Sequence, residues 1–197
     1  MKEDHTVDLA HFFAELQRET DRGLPLVAGA LIDEKLRDAL ESFLCPVKST
    51  ERLLNEPNSP LGTFSARIDA CFALGLIDDF EYQEISLVRK VRNMFAHSKH
   101  GFSFHDEKVA GLCASFKSDL PRGSDYPVTE PRFRFINATV CLVLRLYYRG
   151  AWVAKERRQP KVWVEPGQTR WRSIDEEKPP YGVPVIVMAK RTSSDAP

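Results

Sequence analysis

The sequence predicts an all-α protein, an antiparallel bundle of about six helices followed by a short C-terminal appendage of strand character. Three observations carry this. Apolar residues recur at helical spacing through most of residues 1–156. Clusters of Pro and Gly interrupt that spacing where helices should end. From about Gln159 it gives way to short runs of β-branched residues between prolines and glycines. The expected division is a helical domain over 1–156 and an appendage over 157–197, whose last seven residues are expected to be disordered.

Taken in order, Asp8 is expected to cap a first helix that carries Leu9, Phe12, Phe13 and Leu16 and stops at Gly23. Pro25 suits the first turn of a second helix, which runs to about Cys45 with Leu36, Ala39, Leu40, Phe43 and Leu44 on one side. Residues 46–60 contain three prolines and read as a loop with one turn at Arg52–Leu54. A third helix starts near Leu61 and holds Phe64, Ile68, Cys71, Phe72 and Leu74. Gly75 then supplies a C-cap, and Asp78 or Asp79 an N-cap for a fourth helix over about 79–97. Asp106 is expected to cap a short helix with Val109, Leu112, Cys113 and Phe116, and a long apolar helix follows over about 131–156. Because that last helix is apolar on nearly all sides, it is expected at the centre or at an interface. In the appendage, Val162–Val164 and Val183–Val187 have strand character.

Composition bounds the function. Lys plus Arg and Asp plus Glu both number 28, so the chain carries no net charge. It therefore lacks the global positive field of a protein that grips duplex DNA unaided, and no helix-turn-helix with a basic recognition helix is discernible. Charge is nonetheless uneven: residues 1–59 hold 12 acids against 7 bases, and residues 130–172 hold 10 bases against 3 acids. Cys45, Cys71, Cys113 and Cys141 stand far apart among apolar neighbours, as buried free thiols of a reducing cytosol would. The acidic, polar start has no signal-peptide core, and Val140–Leu144 is too short and too flanked by arginines to span a bilayer. A cytoplasmic location without membrane contact is expected. No cofactor or metal is implied, since His97, His100, His105 and Asp106 match no helical metal pair. The basic and aromatic run Arg157, Arg158, Lys161, Trp163, Arg170, Trp171 and Arg172 suits either single-stranded nucleic acid or packing of the tail on the helices.

The clearest functional mark is Arg92-Asn93-Met94-Phe95-Ala96-His97. On a helical wheel Arg92 falls at the edge of the apolar stripe, where a guanidinium is costly unless paired or met by an anion. His97 lies about 140° further round, and Asn93 lies about 40° from His97 and one turn earlier. Asn93 is thus placed to hold the imidazole in one tautomer. Such a trio could cleave RNA without metal, with His97 moving the proton and Arg92 neutralising phosphorane charge. One such histidine per chain would then favour a homodimer with two motifs across a groove. In the plainer alternative, Arg92 is a structural ion-pair partner and His97 a helix C-cap.

Ser59-Pro60-Leu61-Gly62-Thr63-Phe64-Ser65-Ala66-Arg67-Ile68, then Ala73-Leu74-Gly75-Leu76-Ile77 and Phe80-Glu81-Tyr82, resemble the mannitol operon repressor (MltR) family over about residues 25–155. That resemblance implies an all-α fold and transcriptional repression through a partner protein or RNA rather than a DNA-reading helix. Arg92-Asn93-x-Phe95-Ala96-His97 also resembles the R-x(4–6)-H motif of the HEPN superfamily. That second resemblance implies phosphate contact by Arg92, support of the histidine by Asn93 and acid–base work by His97. The expected function is accordingly a homodimeric regulator of the repressor type. The alternative is a metal-independent endoribonuclease, a toxin or defence effector, using Arg92, Asn93 and His97. Trp171, Pro180, Gly182 and the alternating Val183, Val185 and Val187 are similar to the opening of a small bacterial and phage domain of unknown function.

Overall fold

A computed structural model describes residues 3–98, 101–123, 126–163, 170–173 and 185–188. The chain divides into two compact units, residues 1–159 and 160–197.

All six expected helices form in the first unit, together with two shorter ones. Helix α1 spans Glu3–Arg18 and starts five residues before Asp8, which lies inside it rather than capping it. Helix α2 spans Gly23–Phe43, and Thr20 Oγ1 accepts from its Gly23 N–H at 3.0 Å. The segment expected to be a loop contains helix α3, Lys48–Leu54. Two turns are too few to show a periodicity, and the flanking prolines outweigh them in the sequence. Helix α4 spans Phe64–Ala73 and is capped by Thr63, whose Oγ1 accepts from Ala66 N–H. Gly75, at φ 69°, reverses the chain there while Leu76 N–H donates to Cys71 O at 2.8 Å, a glycine-dependent helix ending.

Helix α5, Asp79–His97, opens with a full capping box. Asp78 accepts from Glu81 N–H at 2.8 Å, and the Glu81 side chain accepts from Asp78 N–H at 3.0 Å. Helix α6 spans Glu107–Ala114. Asp106 precedes it but makes no cap bond, because its carboxylate accepts from Ser103 N–H at 2.7 Å and braces the preceding turn. The expected long last helix is interrupted. Helix α7 spans Pro131–Leu146, and after Tyr147 and Tyr148 helix α8 covers Arg149–Val153, followed by a 3-10 turn over Ala154–Glu156. The break lets α8 lie close along α2: a Cβ on Gly150 would come 3.4 Å from Ser42 Oγ and 3.7 Å from Asp38 O.

Helix α2 is central and packs on α4, α5, α7 and α8. Its Leu24, Ala28, Ile32, Leu36 and Leu40 are fully buried at helical spacing, as are Ile85, Val88 and Val91 of α5. Five phenylalanines carry the core toward α7, with Phe95 against Phe102 and Phe104, then Phe104 and Phe116 against Phe135.

Many helix C-termini are completed by arginines from elsewhere in the chain. Arg132 donates to Gln17 O in the last turn of α1 and to Glu19 O just beyond it. Arg157 donates to Glu41 O and Leu44 O at the end of α2, where Arg158 N–H also meets Phe43 O at 2.7 Å. Arg67 donates to Leu54 O of α3, and Arg134 to Cys113 O, Ala114 O and Phe116 O around the end of α6. The last carbonyls of a helix have no partner within it and sit at its negative end, so a guanidinium fork satisfies both needs.

In the second unit, β1 (Arg170–Ser173) pairs in parallel with β2 (Val185–Met188), Arg170 opposite Val185 and Ser173 opposite Met188. The second strand overlaps the expected one. The first does not: residues 161–163 form no strand, and the pairing segment begins at Arg170. The last seven residues, and with them the expected disorder, lie outside the described residues, as do Pro180 and Gly182.

Candidate functional site

The segment from Arg92 to His97 forms the last two turns of α5. Arg92 is half-buried and lies across α2, where a Cβ on Gly29 would come within 3.1 Å of its Cγ and 3.8 Å of Phe64 Cε1. Glycine at 29 therefore makes the space in which the Arg92 stem is seated. Arg92 Nη1 donates to Asn93 Oδ1 at 3.0 Å. Asn93 thus serves the guanidinium, whereas the sequence reading had it steady the imidazole. His97 is exposed at the helix end, and no hydrogen bond joins it to Arg92 or Asn93. Helical geometry accounts for this, since five residues carry His97 well away from the face that Arg92 occupies. Within one chain the three side chains form a pair and a separate histidine.

The residues that carry the family resemblance build a fold determinant. Arg67 donates to Asp33 Oδ2 at 2.7 Å, to Leu61 O at 2.8 Å and to Leu54 O at 3.3 Å, locking α2, the end of α3 and the α3–α4 turn together. Gly62 sits so close to Ser59 that a Cβ would lie 2.4 Å from its Oγ and 3.0 Å from its carbonyl. Leu76 and Ile77 are buried beside the Gly75 turn. Glu81, 0% exposed, accepts from Arg145 Nε at 3.0 Å and from Arg149 Nη2 at 2.7 Å, joining α5 to α7 and α8. Buried Glu84 accepts from Lys117 N–H, Ser118 N–H and Ser118 Oγ, holding the chain after α6 against α5. None of these ion pairs had a clear signal in the sequence, because their partners stand 33 or more residues apart.

Two surface features stand apart from these contacts, and the second lies on the helix that the sequence expects at the centre or at an interface. An open cleft of about 480 Å3 lies beside Lys35, Asp38, Glu41 and Ser42 of α2, facing Tyr147, Gly150 and Arg157. Its charges are largely satisfied internally, through Lys35–Asp38 at 3.7 Å, Arg37–Glu41 at 3.8 Å and the Arg157 bonds to carbonyls. The second feature is apolar. Half-buried Phe133 and Val140 and exposed Leu144 share one side of α7, away from its buried residues Phe135, Ala138 and Leu142, whereas Ile136 falls beside buried Val143 and packs against the core. Leu144 is 46% exposed, and Tyr126 packs beside Phe133 at 6.1 Å between ring centroids.

Burial pushes the Cys71 and Cys113 thiols up to about 12, with nearby Arg149 and Arg67 (for Cys71) and Arg134 (for Cys113) opposing that rise. Neither is a nucleophile at neutral pH. Among the described residues no group of three or more His, Cys, Asp or Glu side chains converges as metal ligands would, His100 lying outside them. No helix of the described residues is long and apolar enough to cross a membrane.

The segment containing the Arg67 lock, the Gly75 turn and α5 can be compared with known families. Residues 41–120 match the mannitol repressor family. The matched segment runs from the end of α2 through α6 and includes Arg92, Asn93 and His97. The fold is similar to that of a chain in the X-ray structure of the MtlR–HPr complex from Escherichia coli, with a TM-score of 0.56 and 19% sequence identity. The similarity covers 70% of this chain and 97% of that one. A comparison with curated proteins gives no match.

Proposed function

We propose that this protein is a regulator of the mannitol-repressor type, which acts by docking a partner protein and not by reading DNA with a helix of its own. The match of residues 41–120 to the mannitol repressor family carries this reading. Two observations support it. The chain has no net charge. In addition, its fold resembles that of a chain from a complex named for MtlR and HPr, and we take a protein of the HPr kind as the partner. The test is a titration of the purified full-length chain with purified HPr by calorimetry, and in parallel the identification of proteins that co-purify with it. A stoichiometric complex with HPr is expected. If HPr leaves no heat and no protein co-purifies in stoichiometric amount, the reading fails.

We further propose that the protein is a homodimer joined through the outer face of α7. Exposed Leu144, with half-buried Phe133 and Val140 on the same side of the helix, supports this, because apolar surface that faces water costs hydrophobic free energy. Light scattering coupled to size exclusion should give twice the chain mass. Val140→Glu and Leu144→Glu together should give a folded monomer. A wild-type monomer at tens of micromolar would refute the dimer and leave the partner reading standing.

A further inference from the structure

The cleft beside α2 gathers polar side chains from three segments of the helical unit. Lys35, Asp38, Glu41 and Ser42 of α2 face Gly150 of α8 and Arg157 across a space of about 480 Å3. Small-molecule sites occupy clefts of roughly 300–1,000 Å3, so the space is large enough for a ligand of several heavy atoms.

Its charges balance, but loosely. Lys35 Nζ stands 3.7 Å from Asp38 Oδ2, and Arg37 Nη2 stands 3.8 Å from Glu41 Oε2. Both separations are well beyond the roughly 2.7–2.9 Å of a charge-assisted hydrogen bond. Other ion pairs of the helical unit close fully, at 2.7 Å in Arg67–Asp33 and Arg149–Glu81 and at 3.0 Å in Arg132–Asp21. Among the described residues, the side chains of Lys35, Asp38, Glu41 and Ser42 make no hydrogen bond at all. Arg157 is held at the end of the cleft by its bonds to Leu44 O and Glu41 O, both at 3.3 Å, which leave Nη1 open. The lining thus presents two cations, two carboxylates and a hydroxyl, neutral in sum, with their donors and acceptors unspent.

This pattern selects among ligands. A lone anion or cation would upset the balance between Lys35 and Asp38. A zwitterion would preserve it. Entering between those two side chains, it would replace one 3.7 Å contact with two charge-assisted hydrogen bonds of opposite polarity. A primary ammonium has three donors, and Asp38 and Glu41 stand three residues apart on α2 with Cβ atoms about 5–6 Å apart, so one ammonium can meet both carboxylates.

We propose that this cleft binds a small zwitterion of the free α-amino acid class. The ligand ammonium lies between Asp38 and Glu41, and its carboxylate accepts from Lys35 and the Ser42 hydroxyl. Its side chain lies toward Ala151 on the α8 side, and Arg157 bounds the far end. The site performs no reaction. It uses neither α5 nor the outer face of α7, so it stands or falls separately from the partner and dimer readings.

The test is an amide NMR titration of the full chain with three probes at matched ionic strength. L-leucine carries both charges, isocaproate only the carboxylate and isoamylamine only the ammonium. Saturable shifts confined to α2 and α8 are expected with L-leucine, and each half-ligand should bind at least about tenfold more weakly. Asp38→Asn and Lys35→Gln should each weaken L-leucine binding by about tenfold. Each gives up only a 3.7 Å contact, and Glu41→Gln, at a side chain 50% exposed, serves if either fails to fold. Glu34→Gln, exposed on α2 outside the cleft, should bind as wild type. Three outcomes overturn the proposal. They are no saturable response to L-leucine at tens of millimolar, binding of isoamylamine or isocaproate equal to that of L-leucine, and undiminished binding by the folded cleft variants.

Discussion

Arg149 and Glu81 form a buried ion pair between α8 and α5, with Arg149 Nη1 and Nη2 donating to the two carboxylate oxygens at 3.0 and 2.7 Å. Glu81 simultaneously closes the capping box of α5 and accepts from Arg145, so one carboxylate orders a helix start and two other helices. Glu81→Gln keeps the shape and removes the charge that balances both arginines. A loss of about 3–5 kcal/mol is expected, the range for breaking a buried pair by removing one partner. Urea denaturation followed by circular dichroism would measure it, and a loss below about 1 kcal/mol would show that the network is dispensable.

Arg67 and Arg92 should behave differently when truncated. Arg67→Ala strands Asp33 and leaves Leu61 O and Leu54 O unbonded, which should cost about 3 kcal/mol. Arg92→Ala removes one bond to a neutral amide and should cost only about 1 kcal/mol. Melting curves of the two variants, recorded together, should therefore rank Arg67→Ala well below Arg92→Ala. The reverse order would make Arg92 the structural residue.

Gly62 tests the close turn before α4. In Gly62→Ala the new methyl meets the Ser59 side chain and, behind it, the Ser59 carbonyl, so the backbone must move. Overpacking of this kind costs about 1–3 kcal/mol. Because Thr63 caps α4 immediately afterwards, slowed amide exchange in the first turn of α4 should be lost as well.

The two buried thiols make a prediction about alkaline pH. For Cys71 and Cys113 the folded value of about 12 lies above the ordinary 9.0. Between those limits the unfolded chain binds fewer protons than the folded one, so stability must fall as the pH rises from about 9 toward 12. Cys71→Ser and Cys113→Ser should flatten that slope. At pH 8 a thiol reagent should modify the half-buried Cys45 and Cys141 and spare Cys71 and Cys113 until the protein unfolds.

The helices were legible because their signals are local. The Gly75 turn and the start of α5, expected at Asp78 or Asp79 and found at Asp78, each occupy a few adjacent residues, and so they could be read. Helix α3 was not legible, because seven residues between prolines carry too little periodicity. The α7–α8 break was not legible either, because it answers to α2 packing against Gly150, over a hundred residues away in sequence. The same limit applies at the candidate site. That Arg92 sits at the edge of a core stripe could be read from spacing. That Asn93 faces the guanidinium and not the imidazole depends on how the side chains settle against α2, which spacing along one helix does not encode.

The arginine forks that finish the helices come largely from later in the chain than the helices they serve. Helix α1 waits for Arg132, α2 for Arg157, and α6 for Arg134. During synthesis, then, the amino-terminal helices emerge with open carbonyl ends and receive their closures only when the last third of the helical unit has left the ribosome. A chain cut near residue 130 would retain six of the eight α-helices of the described residues and none of these three fastenings. The order of residues along the gene thus leaves these three helix ends to be closed late.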